Sequence, residues 1–156
     1  MKTVLPSFLT VRAFTASNRE IAWRREDLAQ VVGAYEELGY AVEAFEVWVV
    51  NDKGQWNGFF PIKDGTEAIC VYDVEPQHGE SNLDFASRCA KEILDKVQEM
   101  DIESEVDPKC LPWLRYNLYV NEEYKNPNKA VDSTATRVTP PASSLRSGQE
   151  SRHGQP

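Results

Sequence analysis

Residues 41–62 read AVEAFEVWVVNDKGQWNGFFPI, and this stretch decides the fold. Its two halves are rich in β-branched and aromatic residues. Between them Asn51-Asp52-Lys53-Gly54 is a turn cluster of the kind that closes a β-hairpin. Lys63-Asp64-Gly65 marks a second turn, and TEAICVYDV, residues 66–74, then supplies a third strand. The expectation is an antiparallel meander.

Working outward, Leu28, Val31, Val32, Tyr35 and Leu38 recur at helical spacing and Gly39 supplies a stop, which predicts a helix over 25–38. Ser81-Asn82-Leu83-Asp84 has the form of a capping box with Asp in place of Glu. Phe85, Ala86, Cys89, Ala90, Ile93, Leu94 and Val97 continue at helical periodicity, giving a second helix over 82–100. After the break from Pro108 to Pro112, WLRYNLYV at 113–120 reads as a last strand, and FLTVRAFT at 8–15 as one more. The predicted class is α+β: an antiparallel or mixed sheet of four or five strands with two main helices on one face.

A chain of 156 residues with 41% hydrophobic content has enough apolar side chain for one core. The domain is expected to span 1–124. From Lys125 the sequence KNPNKAVDSTATRVTPPASSLRSGQESRHGQP has no aromatic residue and is dense in Ser, Thr, Pro and Gly, so 125–156 is expected to be a disordered polar tail. No run approaches the ~18–20 apolar residues of a membrane span. Pro6 and Arg12 interrupt the apolar start, which argues against a signal peptide. Cys70, Cys89 and Cys110 are odd in number and widely spaced, which suits reduced thiols and a cytoplasmic location.

The net charge of −8 is unevenly distributed, because the last 32 residues hold five basic and two acidic side chains, leaving −11 on residues 1–124. Such a domain repels nucleic acid phosphates and anionic lipid, and its field speeds encounter with a basic protein.

Groups for catalysis are sparse. The histidines are His78, in a Pro-Gln-His-Gly loop, and His153, in the tail. Cys89 sits on the apolar stripe of the second helix, which favours packing over a Cys/His nucleophile. The patterns CxxC, HExxH, GxxxxGK[ST] and GxGxxG do not occur, and one domain histidine with scattered cysteines makes a poor zinc site. Asp101, Glu103, Glu105 and Asp107 alternate with other residues without the glycine and spacing of a calcium loop, so they read as a solvated strand edge or loop. The expectation is a binding protein with no catalytic residue, no cofactor and no metal.

Trp48 and Trp56 flank the hairpin turn. Either they anchor a partner or they stabilise the hairpin by cross-strand packing, and both readings stand at this point. The expected partner surface comprises the hairpin and the loop before the second helix: Asp52, Trp56, Asp64, Glu67, Asp73, Glu75, His78 and Glu80.

Ile21 to Val97 resembles a family of bacterial polymorphic-toxin immunity proteins, the one numbered forty. The likeness is carried by Ala22-Trp23-Arg24-Arg25-Glu26-Asp27 leading into a helix that ends Leu38-Gly39, by Glu46-Val47-Trp48 before a turn, and by Pro76-x-x-Gly79-Glu80 ahead of a helix with Phe85 early in it. Glu43-Ala44-Phe45 departs from the Gly-Gly pair of the family pattern. The resemblance implies a cytosolic antidote that binds and blocks a cognate toxin domain, with electrostatic complementarity where that toxin is basic. The alternative is a secretion adaptor or chaperone that binds a cargo or effector protein; a small enzyme using Cys89 or His78 and a nucleic-acid mimic are the remaining readings.

Overall fold

The computed structural model describes residues 5–121, and the predicted tail over 125–156 lies outside the described residues. In chain order the elements are α1 (Ser7–Arg12), β1 (Phe14–Thr15), β2 (Ile21–Trp23), a 3-10 turn (Arg25–Asp27), α2 (Leu28–Glu37) and β3 (Ala41–Val50). Then come β4 (Trp56–Asn57), β5 (Phe59–Pro61), β6 (Glu67–Ile69), β7 (Val71–Asp73), α3 (Asn82–Glu99) and α4 (Ile102–Glu105). A second 3-10 segment (Pro108–Trp113) precedes β8 (Leu114–Asn121).

The fold is α+β, and its main sheet is antiparallel in the order β1-β2-β8-β3-β4, with β7 also pairing β3. β3 is the spine. It lies along β8 from Ala41↔Asn121 to Val49↔Leu114, with a register shift between Val42 and Ala44. Its other edge is shared, β7 taking Ala44 to Glu46 and β4 taking Val49 and Val50.

The meander is therefore interrupted. The stretch read as a single third strand breaks at Cys70: β6 pairs β5 in a separate two-stranded sheet, and β7 returns to β3. The N-terminal FLTVRAFT is mostly the helix α1, with only Phe14–Thr15 in a strand. Leu9, 1% exposed on that helix, joins the core through one turn of backbone, and its carbonyl accepts the Trp23 indole N–H at 3.3 Å. The alternating acids also settle differently: Ile102–Glu105 form a helical turn, because burying Ile102 and Val106 requires a spacing of four residues rather than two.

The helices match their sequence signals. α2 closes on a Schellman motif: Tyr40 N–H donates to the Tyr35 carbonyl and Gly39 N–H to that of Glu36. Gly39 takes φ 80°, and the Tyr35 and Tyr40 rings meet edge to face at 6.3 Å, supplying the accompanying apolar contact. At the start of α3, Ser81 Oγ accepts from Asp84 N–H at 3.1 Å and donates to the Asp84 carboxylate at 2.6 Å. With Asp in place of Glu the box closes through the Ser hydroxyl.

Both α2 and α3 pack on the face of the sheet formed by Trp23, Phe45, Val47, Tyr116 and Leu118. Val31, Val32 and Tyr35 from α2 and Phe85, Cys89 and Ile93 from α3 fill this layer. A second, small cluster of Ala16, Ala22, Trp48 and Val50 lies on the opposite face. There the β1–β2 and β3–β4 turns are tied by Ser17 N–H donating to the Gly54 carbonyl at 3.3 Å. No helix among the described residues is long and apolar enough to cross a membrane.

Candidate partner-binding surface

An exposed apolar row runs from the small β5–β6 sheet onto the face of the main sheet away from the helices. From Glu67 to Asp73 burial alternates with period two. Ala68, Cys70 and Tyr72 pack against the core, while Glu67, Ile69, Val71 and Asp73 are exposed. The alternation runs through the break at Cys70, so β6 and β7 present one continuous outward row. Phe59 stands opposite Ile69, and Val71 opposite Glu46. Exposure is 55% for Phe59, 57% for Ile69 and 53% for Val71, which is high for apolar side chains on regular strands.

Neighbouring strands extend this row. Trp56, opposite Val50, stacks on the buried Trp48 with ring centroids 4.1 Å apart and planes at 12°. Trp56 packs across the strands, as the cross-strand reading expects, and keeps 38% of its surface exposed. Gly58 lies over Glu46 so closely that a Cβ there would collide with the carboxylate, and the same Cβ would sit 3.9 Å from the Trp56 ring. Glu46 Oε2 in turn accepts from the Tyr119 hydroxyl at 3.0 Å. Burial, reinforced by this bond to Glu46, raises the Tyr119 pKa to about 12, so the phenol stays protonated and keeps donating. Trp56, Glu46 and Tyr119 are therefore contiguous, with Glu67 and Asp73 on the outward row of β6 and β7.

The expected partner residues divide into separate groups. Asp52 and Trp56 lie at the β3–β4 end, Glu67 and Asp73 on the outward row. Asp73 is level with Ala44 and Trp56 with Val50, six residues or about 20 Å apart at ~3.3 Å per residue. Asp64 is exposed but shapes its own turn, accepting from the Thr66 hydroxyl and N–H, and these bonds lower its pKa. Glu75 and His78 are exposed in the loop before α3.

Glu80 serves the fold. Its carboxylate takes Arg88 Nε at 2.7 Å, Arg88 Nη2 at 2.8 Å and Gln77 N–H at 3.0 Å, leaving the side chain 10% exposed. Arg88 also holds Glu92 and the Glu75 carbonyl. Glu80 is thereby an internal brace of the loop rather than an outward-facing contact.

Phe59, Ile69, Val71, Tyr119 and Glu46 were not in the expected set. The signal for Ile69 and Val71 was available: in AICVYD, apolar residues occupy both alternating positions, the pattern of a strand to be covered on both faces.

The thiols offer little nucleophilic character. Burial pushes Cys89 up to about 12 and Cys70 to about 11, and raises Cys110 as well. Among the described residues no group of three or more His, Cys, Asp or Glu side chains is arranged to hold a metal ion. No family model, curated protein or solved structure matches the chain.

Proposed function

We propose that this domain is an immunity protein, an antidote that works in the cytoplasm by binding a toxin domain and blocking it without chemistry of its own. The observation that carries the binding part is the outward row of Phe59 and Ile69 on the two-stranded sheet and Val71 on the main sheet, continued by Trp56 and Tyr119. Apolar and aromatic side chains so placed lose nothing on folding by being covered and gain when a partner excludes water from them. Carboxylates at Glu46, Glu67 and Asp73 border the row, and the charge of −11 on residues 1–124 favours a basic partner.

The antidote role rests on the resemblance set out from the sequence. Of the residues that carry it, Trp23, Trp48 and Phe85 are core residues, so they bear on how the fold is built, and the partner surface is free to differ. The test is co-expression with the product of the neighbouring gene, scored by growth and by co-purification. Rescued growth with a co-purifying complex is expected. Co-purification without rescue would replace the antidote by a cargo-binding adaptor; neither rescue nor capture would remove the proposal.

A further inference from the structure

Where β2 leaves the sheet and β8 enters it, a cleft of about 260 Å³ opens between the first 3-10 turn, α4 and the Pro108–Trp113 segment. We propose that this cleft binds a small organic anion, a carboxylate or phosphate monoester carried on a compact apolar body. Two features of the lining point to such a ligand.

The first is a pair of arginines. Trp23 pairs Tyr116 in the β2–β8 ladder, so Arg24 and Arg115 follow as neighbours across the two strands. Arg115 makes no ion pair among the described residues; its Nη1 donates to the Pro112 and Leu114 carbonyls at 3.0 and 2.7 Å. Burial, then repulsion from Arg24, lowers the Arg115 pKa. Among the described residues Arg24 pairs only with Glu26, at 3.7 Å, both side chains being more than half exposed, a weak pairing. An oxyanion between the two guanidinium groups would remove their repulsion and accept from both.

The second is the apolar part of the lining, Leu111, Pro112 and Leu114, with Leu111 39% exposed. A bare inorganic ion would leave these side chains in water, whereas a short chain or single ring would cover them. The volume lies below the ~300–1,000 Å³ typical of drug-sized sites, which limits the ligand to a small acid. Anion binding here needs no protein partner.

The test is an NMR titration of the full chain with phenyl phosphate, with benzoate and with inorganic phosphate, ionic strength being held constant with chloride. Saturable one-to-one shifts centred on the Leu111, Arg115 and Tyr116 amides are expected. Both aromatic anions should bind more tightly than inorganic phosphate, and the tighter of the two identifies whether a phosphate or a carboxylate head is preferred. Replacing both Arg24→Gln and Arg115→Gln should weaken binding by about tenfold or more. The melting midpoint of that variant, measured beside the titration, separates lost binding from lost folding. Shifts that do not saturate, equal binding of inorganic phosphate, or affinities untouched by the arginine substitutions would overturn the proposal.

Discussion

The Trp56 indole lies flat on that of Trp48, rings 4.1 Å apart, so that a fully buried residue supports one that is 38% exposed. A large aromatic held in one orientation before a partner arrives loses little entropy on binding, the property that makes tryptophan a recurrent interface anchor. Trp56→Ala removes the stack and should cost about 1–2 kcal/mol of stability, the range of an aromatic pair plus partial burial. It should cost about 2 kcal/mol or more of partner affinity. Melting and titration of the same variant check both numbers; affinity unchanged within error would move the interface away from the β3–β4 end.

Phe59 and Ile69 face each other on the outer side of their hairpin, where truncation leaves the core intact. The double variant Phe59→Ala, Ile69→Ala should change stability by no more than about 1 kcal/mol. Affinity should fall by about 2 kcal/mol or more if the sheet face meets the partner. Calorimetric titration beside thermal melting separates the two effects, and a destabilised variant with full affinity would count against this face.

Charge on the domain should be felt in the association rate. With a basic partner, the on-rate should fall as ionic strength rises to physiological values, where the screening length is ~8 Å, while the off-rate changes little. Glu67→Lys with Asp73→Lys should lower the on-rate further at low salt. Stopped-flow measurements over a salt series decide this; a flat series would eliminate electrostatic steering.

Hydrogen bonds from the Arg88 side chain, and then from Gln77 N–H, hold Glu80 at about 2, down from 4.5. A carboxylate with a depressed pKa in the folded state stabilises the fold above its unfolded value and loses that contribution as pH falls toward the folded one. Stability should therefore decline from about pH 4.5 toward 2. Glu80→Gln should be less stable at neutral pH and show a shallower acid decline. Melting midpoints from pH 7 to 3 test the difference, and parallel curves for the two proteins would contradict it.

Asp27, 2% exposed at the start of α2, is paired through Oδ1 with the Arg12 guanidinium, and that oxygen has no further hydrogen-bond partner among the described residues. Arg12→Ala leaves this carboxylate buried and should destabilise the domain by about 1–3 kcal/mol. Asp27→Asn added to Arg12→Ala should recover part of that loss. Denaturant unfolding of the two variants is the measurement, and equal stability of Arg12→Ala and the parent would show that solvent already satisfies the acid.

What was written locally in the chain could be read from it. The Schellman signal at Gly39, the Ser81–Asp84 cap and the periodicity of Phe85, Cys89 and Ile93 each involve residues within a turn or two of one another, and so do the turns at Asn51 and Asp64. Those features gave both main helices, the β3–β4 turn, the last strand and the α+β class. Tertiary packing decided the remainder. Alternation in TEAICVYDV marks two faces, yet it does not say that β6 pairs β5 while β7 returns to β3, because strand partners are chosen by which distant apolar faces bury each other. FLTVRAF has β-prone residues, but placing Leu9 beneath Trp23 favours a helical turn. Glu80 looked like a surface acid until the fold brought Arg88 within 2.7 Å of it, and Tyr119 reached Glu46 across 73 residues of chain by strand register alone. A side chain's chemistry belongs to the sequence; its neighbours, and with them its exposure and its charge, are settled by contacts that no local pattern contains.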